Sequence, residues 1–133
     1  MKTMTTRSRV RTWFAAVVAL TLAACAGENH YEQLADRVTK AIVANDMRPV
    51  EPDFNALRRP QLENRERVGR LSDDLRPLGA FKAVHEDTPK DAPAGFHHFQ
   101  AQFEKATWVE DLTVDADGKI AAFHVHAAPQ PSP

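Results

Sequence analysis

The chain has 133 residues, with 17 Lys and Arg against 18 Asp and Glu, a formal charge of −1 and one cysteine. A length of this order supports one domain around one core. The lack of a basic excess argues against a nucleic-acid or anionic-lipid surface, which needs clustered Lys and Arg, and a lone cysteine leaves no internal disulfide.

From Trp13 to Ala24, Thr21 is the only polar residue, and Lys2, Arg7, Arg9 and Arg11 precede the run with no acidic residue among them. At about 1.5 Å per helical residue, a bilayer core of about 30 Å needs roughly 20 apolar residues. This run is too short to span. It fits the apolar region of a secretory signal behind its basic segment, a reading that the abrupt change to polar sequence at Gly27 to His30 supports.

Leu22, Ala23 and Ala24 followed by Cys25 resemble the lipobox of bacterial lipoprotein signal peptides. The resemblance covers the first 25 residues and implies cleavage between Ala24 and Cys25, a diacylglycerol thioether on the Cys25 sulfur, and an acyl group, such as palmitate, on the new amino terminus. It also accounts for the odd cysteine. One acyl chain holds a protein marginally at a membrane, whereas two or more hold it stably. Ala26 takes the place where an aspartate tends to retain such proteins at the inner membrane, so the similarity is to the outer-membrane, periplasm-facing class. Cleavage leaves 13 basic residues against 18 acidic ones, a formal charge of −5.

Residues 25–29 are then expected as a linker, 30–127 as the folded domain and 128–133 as a disordered tail. Asn29 with Glu32 three residues later reads as a helix start. Tyr31, Leu34, Val38 and Ile42 follow as one apolar stripe, predicting a helix from about His30 to Asp46. Met47 to Pro52 reads as a turn. "PDFNALRR", 52–59, predicts a short second helix capped by Asp53 that buries Phe54 and Leu57. Pro60 suits the start of a third helix, in which Val68, Leu71, Leu75 and Leu78 align until Pro77 and Gly79 end it. Arg65, Arg67, Arg70 and Asp74 fall off that stripe and read as a solvated face.

After Gly79 the period changes to alternation. "AFKAVHE" (80–86), "FHHFQAQFEK" (96–105), "TWVEDLTV" (107–114) and "KIAAFHVH" (119–126) predict four strands, with a proline-containing loop at 87–95. Ala116, Asp117 and Gly118 fit a type I turn with glycine in the left-handed position. That turn sets Val114 opposite Ile120 and, continued outward, Leu112 opposite Ala122, Glu110 opposite His124 and Trp108 opposite His126. A four-residue loop would instead slip the register by one and put Trp108, Leu112 and Val114 on the face of Ala121, Phe123 and Val125.

Helices first and then four strands, with "LRPLGAFKAV", "FHHFQAQFEKATWVEDLTV" and "DGKIAAFHV" as the carrying stretches, resemble the nuclear transport factor two-like superfamily. The similarity is greatest to its small bacterial branch of unknown function. It implies an α+β fold of the cystatin-like cone type: three N-terminal helices packed on a curved four-stranded antiparallel sheet that encloses a pocket. Some members use the pocket for catalysis and many for binding or dimerisation. The enzymes of the superfamily place an Asp or Glu with a Tyr or His deep in it. Here the only tyrosine, Tyr31, lies in the first helix's stripe, so no catalytic residue carries over.

Five of the six histidines, His85, His97, His98, His124 and His126, fall in the strand region. His124 and His126 share a strand face at a spacing that lets two imidazoles reach one metal, with His98 or Glu110 as a third ligand. The plainer alternative makes them polar residues of a partly solvated strand, and the sequence shows no further metal motif. A second candidate is an acid and base pair of Glu110 and His124 flanked by Trp108, although Glu and His across strands also form ordinary stabilising pairs. The reading that results is a lipid-anchored periplasmic protein whose domain binds or self-associates without catalysis and without a cofactor. Its alternative is a small enzyme or metal carrier built on Trp108, Glu110, His124 and His126. The partners implied are the membrane through the anchor, a second copy or a periplasmic protein, and a small apolar ligand, but not nucleic acid.

Overall fold

The computed structural model describes residues 26–62 and 64–129; the signal segment, Cys25 and the end of the tail from 130 onward lie outside the described residues. The chain folds as an α+β domain in which helices pack on a four-stranded antiparallel sheet. Among the described residues no helix is long and apolar enough to cross a membrane.

Helix α1 spans Ala26–Val43. It starts earlier than the sequence predicts, so 26–29, expected as a linker, form its first turn, and Asn29 lies inside the helix instead of capping it. A capping pattern is a local signal, and a helix already packed along its length extends past it. The predicted stripe is present: Leu34, Ala35, Val38, Ala41 and Ile42 are buried and Tyr31 packs against them. The helix stops at Val43 because Asn45 takes a left-handed φ of 52°. The Asp46 N–H then donates to the Ala41 carbonyl and the Asn45 N–H to that of Ile42, both at 2.9 Å, the paired bonds of a Schellman ending.

The predicted second helix does not form. Arg48–Asp53 makes a 3-10 turn that buries Val50, and Phe54 turns extended to bridge Ile120. The Asn55 N–H donates to the Ile120 carbonyl at 3.0 Å. A backbone bond to a distant strand thus takes an N–H that a helix over these residues would have left to its Asp53 cap. Phe54 is buried as expected, but Leu57 is 84 % exposed, and Asp53 pairs with Arg37 at 3.1 Å instead of capping a helix.

The predicted third helix is divided into α2, Arg59–Leu62, and α3, Arg65–Leu75. Asn64 caps α3 by accepting from the Arg67 N–H at 3.2 Å, a standard use of asparagine. Leu75 is buried, and Val68, Leu71 and Leu78 pack at the margin of the core, with Leu78 in a 3-10 turn over Arg76–Leu78.

The strands are β1 (Phe81–Glu86), β2 (Phe96–Phe103), β3 (Thr107–Val114) and β4 (Ile120–Ala127), paired in that order as a meander. Val84, Phe99, Ala101, Phe103, Leu112 and Ile120 point to the helices and complete the core. The turn into β4 is as the sequence predicts. Gly118 has φ 73°, the Asp115 N–H donates to the Lys119 carbonyl at 2.8 Å, and Val114 opposes Ile120.

One residue further the register slips. Thr113 pairs with Ala122, Leu112 with Phe123, Asp111 with His124, Glu110 with Val125 and Val109 with His126. Ala121 is the extra residue of a bulge, and its carbonyl accepts from the Arg58 Nε. The expected oppositions of Leu112 with Ala122, Glu110 with His124 and Trp108 with His126 are therefore corrected. A bulge after a three-residue turn, not a longer loop, sets Leu112 against Phe123 and Glu110 against Val125.

Candidate functional site

Because side chains alternate across a strand, the slip sends Glu110 and the histidines to opposite faces of the sheet. Glu110 points inward and is 1 % exposed. Its Oε1 meets the Thr39 hydroxyl of α1, which lies 2.9 Å from the Ala35 carbonyl, while Oε2 is buried without a partner among the described residues. Burial pushes the Glu110 carboxyl up to about 7; the Thr39 hydrogen bond works against this and the negative charge of Asp36 adds to it.

Proton counting gives the same direction. Thr39 has one hydroxyl hydrogen and two neighbouring acceptors. With Glu110 ionised, one acceptor goes without. With Glu110 protonated, it donates to Thr39 and Thr39 donates to Ala35, so both bonds form. The unpaired Oε2 is then a neutral carbonyl oxygen, less costly to bury than half of a carboxylate charge.

His98, Asp111, His124 and His126 occupy the outer face. Asp111 accepts or shares hydrogen bonds with two rings, His98 Nδ1 at 2.6 Å and His126 Nε2 at 3.4 Å. His124 is exposed and stands across from Asp111. Among the described residues no group of three or more His, Cys, Asp or Glu side chains is placed to hold a metal ion. Trp108 packs at the margin of the core, on the inner side. The four residues singled out in the sequence thus do not meet: Trp108 and Glu110 lie inside, His124 and His126 outside.

A third polar group escaped the sequence reading. At the open end of the sheet His97 stacks on Tyr31 with ring centroids 3.8 Å apart. Its Nδ1 lies 2.7 Å from Glu86 Oε1, the same oxygen that accepts from the Thr88 hydroxyl. These bonds pin the β1 to β2 loop against α1, and the Glu86 N–H donates to Glu32 of α1 at 2.9 Å. A carboxylate that orients an imidazole resembles part of an acid and base device, but here its oxygen is already shared with Thr88 and the ring is covered by Tyr31.

The concavity with ligand-like character lies elsewhere, between α3 and the outer edge of β4, and has a volume of about 450 Å³. Ile42, Met47 and Phe54 form its buried floor, and Leu71, Phe123 and Val125 its half-buried walls. Arg58, Arg67 and Arg70 stand around it, with Asp74 as the one carboxylate among the described residues. Arg58 is tied to the Ala121 carbonyl and to Gln61. Arg70 reaches the exposed Glu66 at 3.4 Å, a solvated i,i+4 pair of small worth. Arg67 contributes only its backbone N–H to the hydrogen bonds seen among the described residues.

A larger hollow of about 800 Å³ adjoins Asn45, Arg48, Glu51 and Arg65. Its lining is mostly polar, and one of its charged pairs is closed, with Arg48 on both carboxylate oxygens of Asp46 at 2.7 and 2.8 Å. Pockets of about 300 to 1,000 Å³ with apolar walls and a few directed polar groups are the usual form of small-molecule sites, and of these two hollows the groove beside β4 combines them. Comparison with family models, with curated proteins and with solved structures finds no match to this chain.

Proposed function

We propose that the protein is a lipid-anchored lipoprotein of the bacterial outer membrane, facing the periplasm, whose domain binds a small ligand and performs no chemistry on it. We also read the domain as a member of the cystatin-like cone group, with the α2 and α3 segments together standing for its third helix. The observation that carries the binding reading is the groove between α3 and β4, which joins an apolar floor to a charged rim. Among the described residues it contains no paired acid and base: His124 and Asp74 come from different elements and share no hydrogen bond. The anchor rests on Leu22 to Cys25 and the segment before them.

The alternative, an enzyme or metal carrier using Trp108, Glu110, His124 and His126, loses its basis in proximity, since the Glu110 partner is Val125. The tests are separate. Cys25→Ser is expected to abolish acyl labelling and to release the protein from membranes, because serine forms no thioether; a labelled, membrane-bound variant overturns the anchor. Native mass spectrometry of the full chain is expected to show a small molecule held one to one and lost on Leu71→Asp. A ligand-free chain that also takes up nothing from a total lipid and metabolite extract overturns the binding reading.

A further inference from the structure

We infer that the groove between α3 and β4 takes a single-chain anionic amphiphile, a fatty carboxylate, with its hydrocarbon on Met47, Phe54 and Phe123 and its head on the guanidinium of Arg67. This rests on the binding reading above and adds the class of ligand.

The argument begins with charge. The chain carries a formal −1, yet among the described residues three arginines and one carboxylate surround this groove. Arg58 is committed to a backbone carbonyl and Gln61, Arg70 is shared with Glu66, and Asp74 offsets part of what remains. Arg58 keeps its charge on those neutral partners, so among the described residues three guanidinium groups against Asp74 and Glu66 leave about one positive charge at the rim, which matches a monoanion. Arginine meets a carboxylate through two parallel N–H donors, and the stem of an arginine lies along apolar surface while its head stays in water. That posture suits a head group at the mouth of a groove.

Size and shape select the rest. Burial of hydrocarbon is driven by removing it from water, and the floor of Ile42, Met47 and Phe54 offers only apolar atoms to a tail. A volume of about 450 Å³ lies toward the small end of ligand pockets, which favours one chain over the two of a phospholipid. Methionine adds an adaptable, polarizable contact to such a floor.

The full chain carrying Cys25→Ser, which removes any acyl group of its own, is titrated by calorimetry with decanoate, octanoate, decanol and decyltrimethylammonium below their micelle concentrations. Decanoate is expected to bind one to one. Octanoate should bind about tenfold more weakly, the effect of two methylenes, decanol at least tenfold more weakly, and the cation not at all. Arg67→Gln with Arg70→Gln, both at exposed positions, should bring decanoate to the level of decanol and leave decanol unchanged. Amide resonances of 65–75 and 122–125 should shift on titration, which locates the site without relying on a core variant that fails to fold. Equal binding of decanoate and decanol at those amides overturns the anionic assignment while the binding reading stands. Decanoate binding that shifts other amides, or no binding of any probe to a chain that still holds another small molecule by mass spectrometry, overturns the inference alone. A chain that holds nothing in either experiment overturns both.

Discussion

Glu110 and Asp111 are neighbours in β3, and their carboxyls meet opposite surroundings. Glu110 lies against α1 at 1 % exposure, with one oxygen on Thr39 and the other without a partner among the described residues. Asp111 lies on the open face, its side chain 23 % exposed, with an imidazole on each oxygen. Among the described residues the inner face therefore holds one fully buried carboxyl at high cost, and the outer face carries several polar groups at little cost. Water makes the difference: a group in contact with it has partners whether or not the protein supplies them, whereas a buried one has only what packing provides.

The strongest test of this contrast compares Phe99→Ala with Gln100→Ala, adjacent positions of β2 on the two faces. Phe99 is wholly buried, and its truncation is expected to cost about 3 to 5 kcal/mol through lost transfer energy and the cavity left behind. Gln100 is exposed, with its amide on Asp87 at 3.0 Å, and its loss should stay within about 0.5 kcal/mol, as for surface positions in general. Chemical denaturation of both variants checks the ratio. Comparable losses would mean that the outer face is covered.

The next effect is the pH dependence that Glu110 imposes. Its carboxyl is pushed up from 4.5 to about 7 in the folded chain, so between those values the native state holds a proton that the unfolded chain has released. The stability that Glu110 contributes is then greatest below about 4.5, falls as the pH rises, and is wholly lost above about 7. The shift corresponds to about 3 kcal/mol at 1.36 kcal/mol per pH unit. Glu110→Gln keeps the shape and gives Thr39 a permanent N–H donor. Its stability is expected to match the wild type near pH 4.5 and to exceed it by up to about 3 kcal/mol at pH 8. Urea titrations at several pH values read the difference directly, and an unchanged slope in the variant would remove Glu110 as its source.

How much of this was legible in the sequence follows from the range over which each feature is decided. The stripe of Leu34, Val38 and Ile42 and the glycine turn at Gly118 are settled by residues within one or two turns of each other, and both are present as read. The end of α1 was legible in principle: Asn45 is a left-handed capping residue, second only to glycine in that role. The register beyond Val114 was not. It depends on Phe54 bridging Ile120 and on Arg58 holding the Ala121 carbonyl, contacts that span more than half of the domain. The same contacts consume the segment expected as the second helix and leave Leu57 in water.

The groove was missed for a related reason. Arg67 and Arg70 read as a solvated face, which is correct for α3 taken alone. Their position next to Val68 and Leu71, three residues apart in each case, shows that they border the apolar stripe. Only the placement of β4 beside α3 turns that border into the rim of a pocket. Histidine counting drew the eye to the strands, where the pleat separates His124 from Glu110 by the thickness of the sheet.

The smallest expected effect belongs to that histidine pair. His124 and His126 are exposed; His126 has one long contact to Asp111 at 3.4 Å, and Asp111 keeps its shorter partner, His98 at 2.6 Å, without it. Removing His126 thus leaves no buried group unsatisfied, which is the usual source of a large loss. His124 borders the groove but supplies no hydrogen bond among the described residues. Replacing both histidines with glutamine is therefore expected to change stability by less than about 1 kcal/mol. Added zinc or copper should raise the melting temperature of neither protein, since metal that bound only the native state would stabilise it in proportion to its concentration. A shift of several degrees in the wild type that vanishes in the double variant would mean that the two rings, with His98 or Asp111, close on an ion. It would also make the outer face of the sheet, not the groove beside it, the first place to look for function.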